Sequence, residues 1–442
     1  MLISLTVENW LSFRNASTLS LRASRERVKA ETIHHLPKKY GTAKVLPLAG
    51  IYGPNAAGKT ALFEAMVFVR QLIVRGSNPN EQIRSHPFCL DNESAEKPTT
   101  VKIEFLVDEH IYRYTISINA KGISKETLIK VLSKSEATIF SRGDTVEFSN
   151  ALNTELSSAI IASLPPNQSF INAAVKLGNE DLKPIFNWFA NSLRMISLDT
   201  SFKGYSKMLV RDDFMKFADE ILQTYAGIDG IDLQEVKDNG VKEDVGQIVQ
   251  QHVENSDKPL DGLFQVVEHR PYGNSYFFVE AEGGTITRIS RMAMRHKLPD
   301  GSFALFDIRS ESAGTQRLID LMPAFFDLES SSNDSEARVY FIDEIDRSFH
   351  TAMTYGLIKR FLDSCRAGSM KQLVFNLHDL SLMDSDLFRK DETWICDKDP
   401  KTGVSSLTCV GKHEGTRSDS NILKSYMANL YGGFPSAHEE HA

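Results

Sequence analysis

Apolar and polar positions alternate with two different periods along this chain. Residues Leu2 to Phe13 (LISLTVENWLSF) and Ser17 to Ala23 (STLSLRA) change character about every second residue, which predicts a strand pair opening a sheet. An apolar run from Val45 to Tyr52 predicts a buried strand, and helical spacing follows from Lys59 to Leu72. The stretch Ser77 to Lys97 is polar and reads as a loop, after which TVKIEFLVDE and IYRYTISINAKG alternate as strands. DDFMKFADEILQTY sets Phe214, Phe217, Ile221 and Tyr225 on one helical face, the pattern of core packing. SYFFVEAEGGTITRI has strand periodicity on both sides of Gly283–Gly284 and predicts a hairpin. RVYFI and KQLVFN are short apolar strands, and Leu318 to Leu328 is an apolar helix. The expected class is therefore α/β. No heptad run long enough for a coiled-coil arm, internal repeat or low-complexity tract interrupts it.

Composition narrows the picture by exclusion. At 442 residues the chain has room for two or three domains, or one large domain with insertions. Its 58 acidic and 50 basic side chains give a net charge of −8, so it has no global footprint for nucleic acid, although a local basic groove stays open. Cys89, Cys365, Cys396 and Cys409 lie far apart with no C-x-x-C spacing, which suggests neither a zinc site nor a disulfide framework. The first ten residues lack the regions of a signal peptide, and no apolar run approaches the roughly 20 residues of a membrane helix. A soluble, cytoplasmic protein is the expectation.

The chemistry begins between the Val45–Tyr52 strand and the helix after it. GPNAAGKT fits G-x-x-x-x-G-K-[ST], with Gly53, Gly58, Lys59 and Thr60 at the fixed positions and Asn55 within the loop. Glycines let backbone N–H groups face phosphate, the lysine reaches the β- and γ-phosphates, and the threonine hydroxyl can ligate Mg²⁺. Far downstream, RVYFIDE is an apolar strand ending in Asp343 and Glu344. In a P-loop ATPase the first of such a pair completes the magnesium shell and the second polarises the attacking water. SESAGTQRL places Ser312 and Gly314 just before the Leu318–Leu328 helix, where a hydroxyl and a glycine N–H make an anion-binding end or, more plainly, a serine cap. KQLVFNLHD puts His378 at the end of a strand, within reach of a γ-phosphate if the strand lies beside the others, or simply in a solvated loop.

In this order the pieces resemble an ABC-type ATPase head of the SMC and recombination-ATPase kind: Walker A at Gly53 to Thr60, a signature-like ESAGTQ, Walker B at Val339 to Glu344 and a switch histidine at His378. More closely, the chain is similar to the stand-alone ABC-like, AAA-type ATPases of bacterial anti-phage and abortive-infection operons, such as AbiLi and RloA. NWLSF, PFCLD, IYRYTISI, RHKLPDGSFALFDIRSESAGTQRL, DEIDRSFH, LHDLSLMD and NILKSYMANLYGGFP carry the similarity over most of the chain. The resemblance implies a mixed sheet flanked by helices, with a large α+β insertion between Walker A and the signature and Walker B. It divides the chain into 1–100, an N-terminal lobe with Walker A; 101–287, a β-rich continuation and inserted region; and 288–442, a C-terminal lobe with the remaining motifs. It implies that ATP and Mg²⁺ are held by Gly53, Asn55, Gly58, Lys59, Thr60 and Asp343, with Glu344 as base and His378 as switch. Ser312 and Gly314 would then contact ATP on a second protomer, in a signature that departs from LSGGQ at Glu311 and Thr315. Asp346 takes the place of a D-loop residue, and Gln71 and Gln82 are both candidates for the Q-loop.

Two functions of different class remain open. One is an ATP-driven switch in a defence system that controls a separately encoded effector, such as a Toprim-like or other nuclease. The acids Asp384, Asp386, Asp397 and Asp399 resemble a Toprim site in pairing, but DKDPKTG lies between two strand-like runs and reads as a hairpin turn. The other is a DNA-repair or chromosome-maintenance ATPase gripping nucleic acid through TRISRMAMRHK, where Arg288, Arg291, Arg295, His296 and Lys297 cluster, a run that also suits a solvated face.

Overall fold

The computed structural model describes the chain except residues 27, 79–80, 84, 198–203, 255–260, 271–272, 331–335, 367, 385, 414–420 and 435–442. It divides into two compact units: Met1–Leu198 with Ser331–Asp346 and Ile358–Ala442, and Asp199–Ser330 with Arg347–Leu357.

The first unit holds two large sheets. One has seven strands in the order Val146–Phe148, Glu136–Arg142, Gly122–Val131, His110–Asn119, Thr99–Val107, Leu2–Glu8 and Ser17–Ser20, every pairing antiparallel. The other has six, in the order Leu193–Ile196, Arg338–Ile342, Lys371–Asn376, Leu48–Tyr52, Thr393–Lys398 and Ser405–Cys409. Its first five strands run parallel and the last closes as an antiparallel hairpin. Strands covered on both faces need continuous apolar runs, and every residue of Leu48–Tyr52 is buried. The predicted strand from Val45 is shorter than expected: Lys44–Val45 pairs with His34–His35 in a separate two-stranded sheet. Pro47, which has no N–H for a ladder, lies between the two segments.

The helix after the P-loop spans Lys59–Val74 and buries Leu62, Met66, Val69 and Ile73. The polar stretch Ser77–Lys97 contains a short helix, Asn92–Glu96, whose first turn is capped by Asp91 accepting from Ser94 N. Gln372 ties the two sheets together. Its side-chain oxygen accepts from Leu2 N at 2.6 Å, and its nitrogen donates to Leu2 O at 2.9 Å and Leu46 O at 3.1 Å. A buried amide near the start of a parallel strand is tolerated because all three partners are main chain.

The second unit has its own sheet, in which Thr285–Lys297 lies between Gly230–Glu235 and Gly273–Glu282, followed by Gly262–Arg270 at one edge, with Phe303–Asp307 also pairing with Thr285–Lys297. The expected hairpin is present: Glu282 pairs with Thr285, and Gly283 and Gly284 adopt φ of 56° and 80°, as a two-residue turn requires. In helix Asp212–Ala226, Phe214 and Ile221 are buried, and Phe214 and Phe217 both meet Phe326 edgewise or tilted. Among the described residues no helix is long and apolar enough to cross a membrane.

Replacing Gln372 by alanine leaves three buried main-chain groups without their side-chain partner. It should lower the unfolding free energy of the sheet-bearing unit by about 2–4 kcal/mol, read from the shift of the urea midpoint.

Candidate active site

The parallel order puts the C-terminal ends of three strands side by side, at Tyr52, Ile342 and Asn376. The P-loop leaves the first of these. Gly53 has φ of 145°, and a Cβ there would sit 2.1 Å from the Cys396 carbonyl oxygen; Gly58 has φ of 111°, and a Cβ would meet Ser12 Oγ at 2.7 Å and Ser405 Oγ at 2.8 Å. Glycine is thus required at both places by backbone conformation and by close neighbours. The loop is braced from behind: Ser405 Oγ donates to Ala57 O at 2.6 Å, Cys396 Sγ to the same oxygen at 3.2 Å, and Trp10 Nε1 to Ala61 O at 2.7 Å. Burial pushes the Cys396 thiol up to about 12, so it remains a neutral donor.

Lys59 is buried and its ammonium donates to the loop's own carbonyls, Gly53 O at 2.5 Å and Pro54 O at 3.1 Å. Burial lowers its pKa from the ordinary lysine value, while Cys396 and the carboxylates of Glu344, Asp346 and Asp343 oppose that shift. Asn55 lies on the exposed face of the loop, next to Ala56 with φ of 62°. Thr60, at the start of the helix, brings its hydroxyl to 3.4 Å from Asp343 Oδ1.

The end of the strand Arg338–Ile342 is held from both sides. Asp343 N donates to Ile196 O at 2.9 Å, and Ile345 N donates to Asn376 O at 3.1 Å. Asn376 does more than close the ladder. Its Nδ2 donates to Asp343 Oδ1, and its Oδ1 accepts from Glu344 N at 2.5 Å. Glu344 has φ of 47°, a left-handed conformation that costs of order 1–3 kcal/mol for a non-glycine residue and survives where surrounding bonds impose it. Its carboxylate lies 3.6 Å from His378 Nε2, and both side chains are partly open to solvent. Asn376 did not emerge from motif reading. The available signal was a polar residue directly after the apolar run Leu373–Phe375, two positions before His378.

Ser312 and Gly314 belong to the second unit, whereas the P-loop, Asp343, Glu344 and His378 belong to the first. The helix begins at Ala313, earlier than the expected Leu318, because Ser312 caps it: Ser312 Oγ accepts from Thr315 N at 3.1 Å. Gly314 therefore sits in the first turn, where a Cβ would lie 2.7 Å from Ser348 O. Both residues thus have local structural reasons for their identity. Glu311, just ahead of them, pairs with His296 at 2.8 Å.

The basic strand is largely matched by acids. Arg291 lies 2.8 Å from Asp307, Arg288 3.8 Å from Glu280 and Arg295 3.8 Å from Asp219. Asp399 is a turn residue: its Oδ1 accepts from Lys401 N and Thr402 N between the strands Thr393–Lys398 and Ser405–Cys409, as the hairpin reading expects. Gln71 and Gln82 are both exposed.

A magnesium nucleotide suits these residues. The hydroxyl of Thr60 and the carboxylate of Asp343 are oxygen donors of the kind Mg²⁺ prefers, and a Cβ at either P-loop glycine would distort the cradle. A parallel α/β sheet with a P-loop at the mouth of one strand and an Asp-Glu pair at the mouth of another defines a P-loop ATPase. The chain belongs to the family described as "AAA domain, putative AbiEii toxin, Type IV TA system", whose model matches residues 48–384. Among solved structures, the SMC head domain from Thermotoga maritima aligns with TM-score 0.37 at 10% identity, over 92% of this chain and 98% of that one. An SmcHead bound to the C-winged helix domain of ScpA aligns with TM-score 0.39 at 14% identity, over 92% and 97%. No curated protein matches.

Gly53→Ala should abolish binding of a fluorescent ATP analogue while leaving the far-ultraviolet circular dichroism unchanged, since the added methyl collides with the Cys396 carbonyl at the loop alone.

Proposed function

We propose that this chain is an ATP-hydrolysing switch whose two copies clamp ATP between them and control a separately encoded effector in anti-phage defence. The carrying observation is the meeting of Lys59, Thr60, Asp343, Glu344 and His378 at the ends of neighbouring parallel strands, with Asn376 bonded to both acids' residues. Lys59, now on its own loop's carbonyls, turns to the β- and γ-phosphates, and the loop's N–H groups bind the remaining oxygens. Thr60 and Asp343 would hold the magnesium ion, which supplies positive charge against the triphosphate. Glu344 orients water and accepts its proton. His378, beside Glu344, contacts the terminal phosphate.

The second copy supplies the N-terminus of the helix Ala313–Glu329, where Ser312 and Gly314 face the phosphate across the interface. The family's description as a toxin–antitoxin component supports a two-protein system. So does the turn role of Asp399, which leaves little basis for a nuclease centre at DKDPKTG. The effector is then a separate polypeptide, of Toprim-like or other nuclease class, docked on the inserted region or the C-terminal segment, and the pair works in the cytoplasm. The acids paired with Arg288, Arg291 and Arg295 offset the positive charge of that strand, which weakens the nucleic-acid reading.

Lys59→Ala should abolish ATP binding, whereas Glu344→Gln should bind ATP and retain it; turnover at the wild-type rate by Glu344→Gln would remove the base assignment. Ser312→Arg should bind ATP yet fail to hydrolyse it. Mixing it with Lys59→Ala should restore activity, because one site of the mixed dimer then joins an intact P-loop to an intact helix end. Mixed dimers that form and stay inactive would end the two-copy reading.

In cells, this chain with its neighbouring gene should protect against phage, while Lys59→Ala at equal abundance should not. Protection by this chain alone would sink the separate-effector proposal.

A further inference from the structure

Asp346 follows Glu344 by two residues, where the resemblance places a D-loop residue. Its bonds are internal. Oδ2 accepts from two successive amides, His378 N at 2.7 Å and Asp379 N at 2.8 Å. The residue just before them, Leu377, donates its N–H to Ile51 O at 3.1 Å. The main chain carrying the histidine therefore passes directly from the P-loop strand's ladder to a single carboxylate oxygen. The other oxygen of Asp346 is buried and has no hydrogen-bond partner among the described residues. One oxygen is thus taken by two amides of its own chain, and the other is closed to solvent.

Bonds from amides to an ionised carboxylate are roughly twice as strong as neutral ones. They fix where the His378 backbone lies, and so where its imidazole lies relative to Glu344, 3.6 Å away. The charge of Asp346 is also felt by Tyr52, whose phenol is raised well above its usual range chiefly by burial and further by Asp346 and Asp379. Tyr52 is the residue immediately before Gly53, so the carboxylate that holds the His378 and Asp379 amides also acts electrostatically at the root of the P-loop.

We propose that Asp346 is a positioning residue acting within its own chain, holding the His378–Asp379 backbone so that the imidazole stands beside Glu344. This rests on the reading of Glu344 and His378 as the catalytic pair. Asp346→Ala removes the acceptor, while Asp346→Asn keeps one oxygen for both amides.

Three measurements test it. In nucleotide-free protein, hydrogen exchange of a peptide covering 376–384 should accelerate in Asp346→Ala and stay near wild type in Asp346→Asn; unchanged exchange in Asp346→Ala overturns the anchoring. In steady-state kinetics, Asp346→Ala should lower kcat about 10–100-fold, the scale of a misplaced catalytic group, with KM for ATP little changed. Asp346→Asn should recover most of that loss, and Asp346→Ala should add nothing in a His378→Ala background. Additive losses would mean that Asp346 does not work through His378. Finally, Asp346→Ala mixed with Lys59→Ala should gain nothing over the reduced turnover of Asp346→Ala, because the only intact P-loop then sits in the chain with the loosened histidine. Recovery in that mixture would return Asp346 to a role across the interface. A His378→Ala protein with normal turnover would refute the catalytic pair itself, and the exchange result would separate that failure from a failure of the anchoring.

Discussion

Parallel strand pairing is the constraint on which the molecule depends. Hydrogen bonds between Leu48–Tyr52, Lys371–Asn376 and Arg338–Ile342 set three strand ends in line, although the chain between the first and the other two is most of its length. Parallel neighbours need long connections, and a connection has no upper limit of length so long as its ends return in register. The unit Asp199–Ser330, with a sheet of its own, occupies part of that interval without disturbing the line. Each catalytic candidate of the first unit is attached to a strand end or to the turn after it.

Side chains convert this alignment into a site. Asn376 spends its amide on Asp343 and on the Glu344 backbone, which fixes one carboxylate and imposes a left-handed bend on the next residue. Behind the P-loop, Cys396 and Ser405 of the terminal hairpin share one carbonyl, Ala57 O. The loop's form is therefore dictated by residues from the last quarter of the chain as much as by its own glycines.

What the sequence disclosed follows from the range of the forces involved. Gly53 to Thr60, the strand ending in Asp343 and Glu344, and the Gly283–Gly284 hairpin are local patterns, legible because conformation and residue type are matched within a few positions. The start of the helix at Ala313 was missed because Gly314 and Thr315 are not apolar, although Ser312 carried a capping signal. Asn376, Ser12 and Ser405 were silent, since nothing near them in sequence marks what they touch; their partners are fixed only by strand register. Asp346 was visible as a position, but its bonds to the His378 and Asp379 amides were silent for the same reason.

The order of the six-stranded sheet also has a consequence for synthesis. Both hydrogen-bonded neighbours of the strand Leu48–Tyr52, Lys371–Asn376 and Thr393–Lys398, are made long after it. At a translation rate of about 5–20 residues per second, the strand that precedes the P-loop waits roughly 20–70 s on the ribosome before it can be paired. Gln372, which bonds to Leu2 across 370 positions, emerges in the same interval. A nascent chain therefore carries the lysine of its P-loop well before it has the strands and side chains that shape the loop, so the loop reaches its final form only after Cys396 and Ser405 have been made.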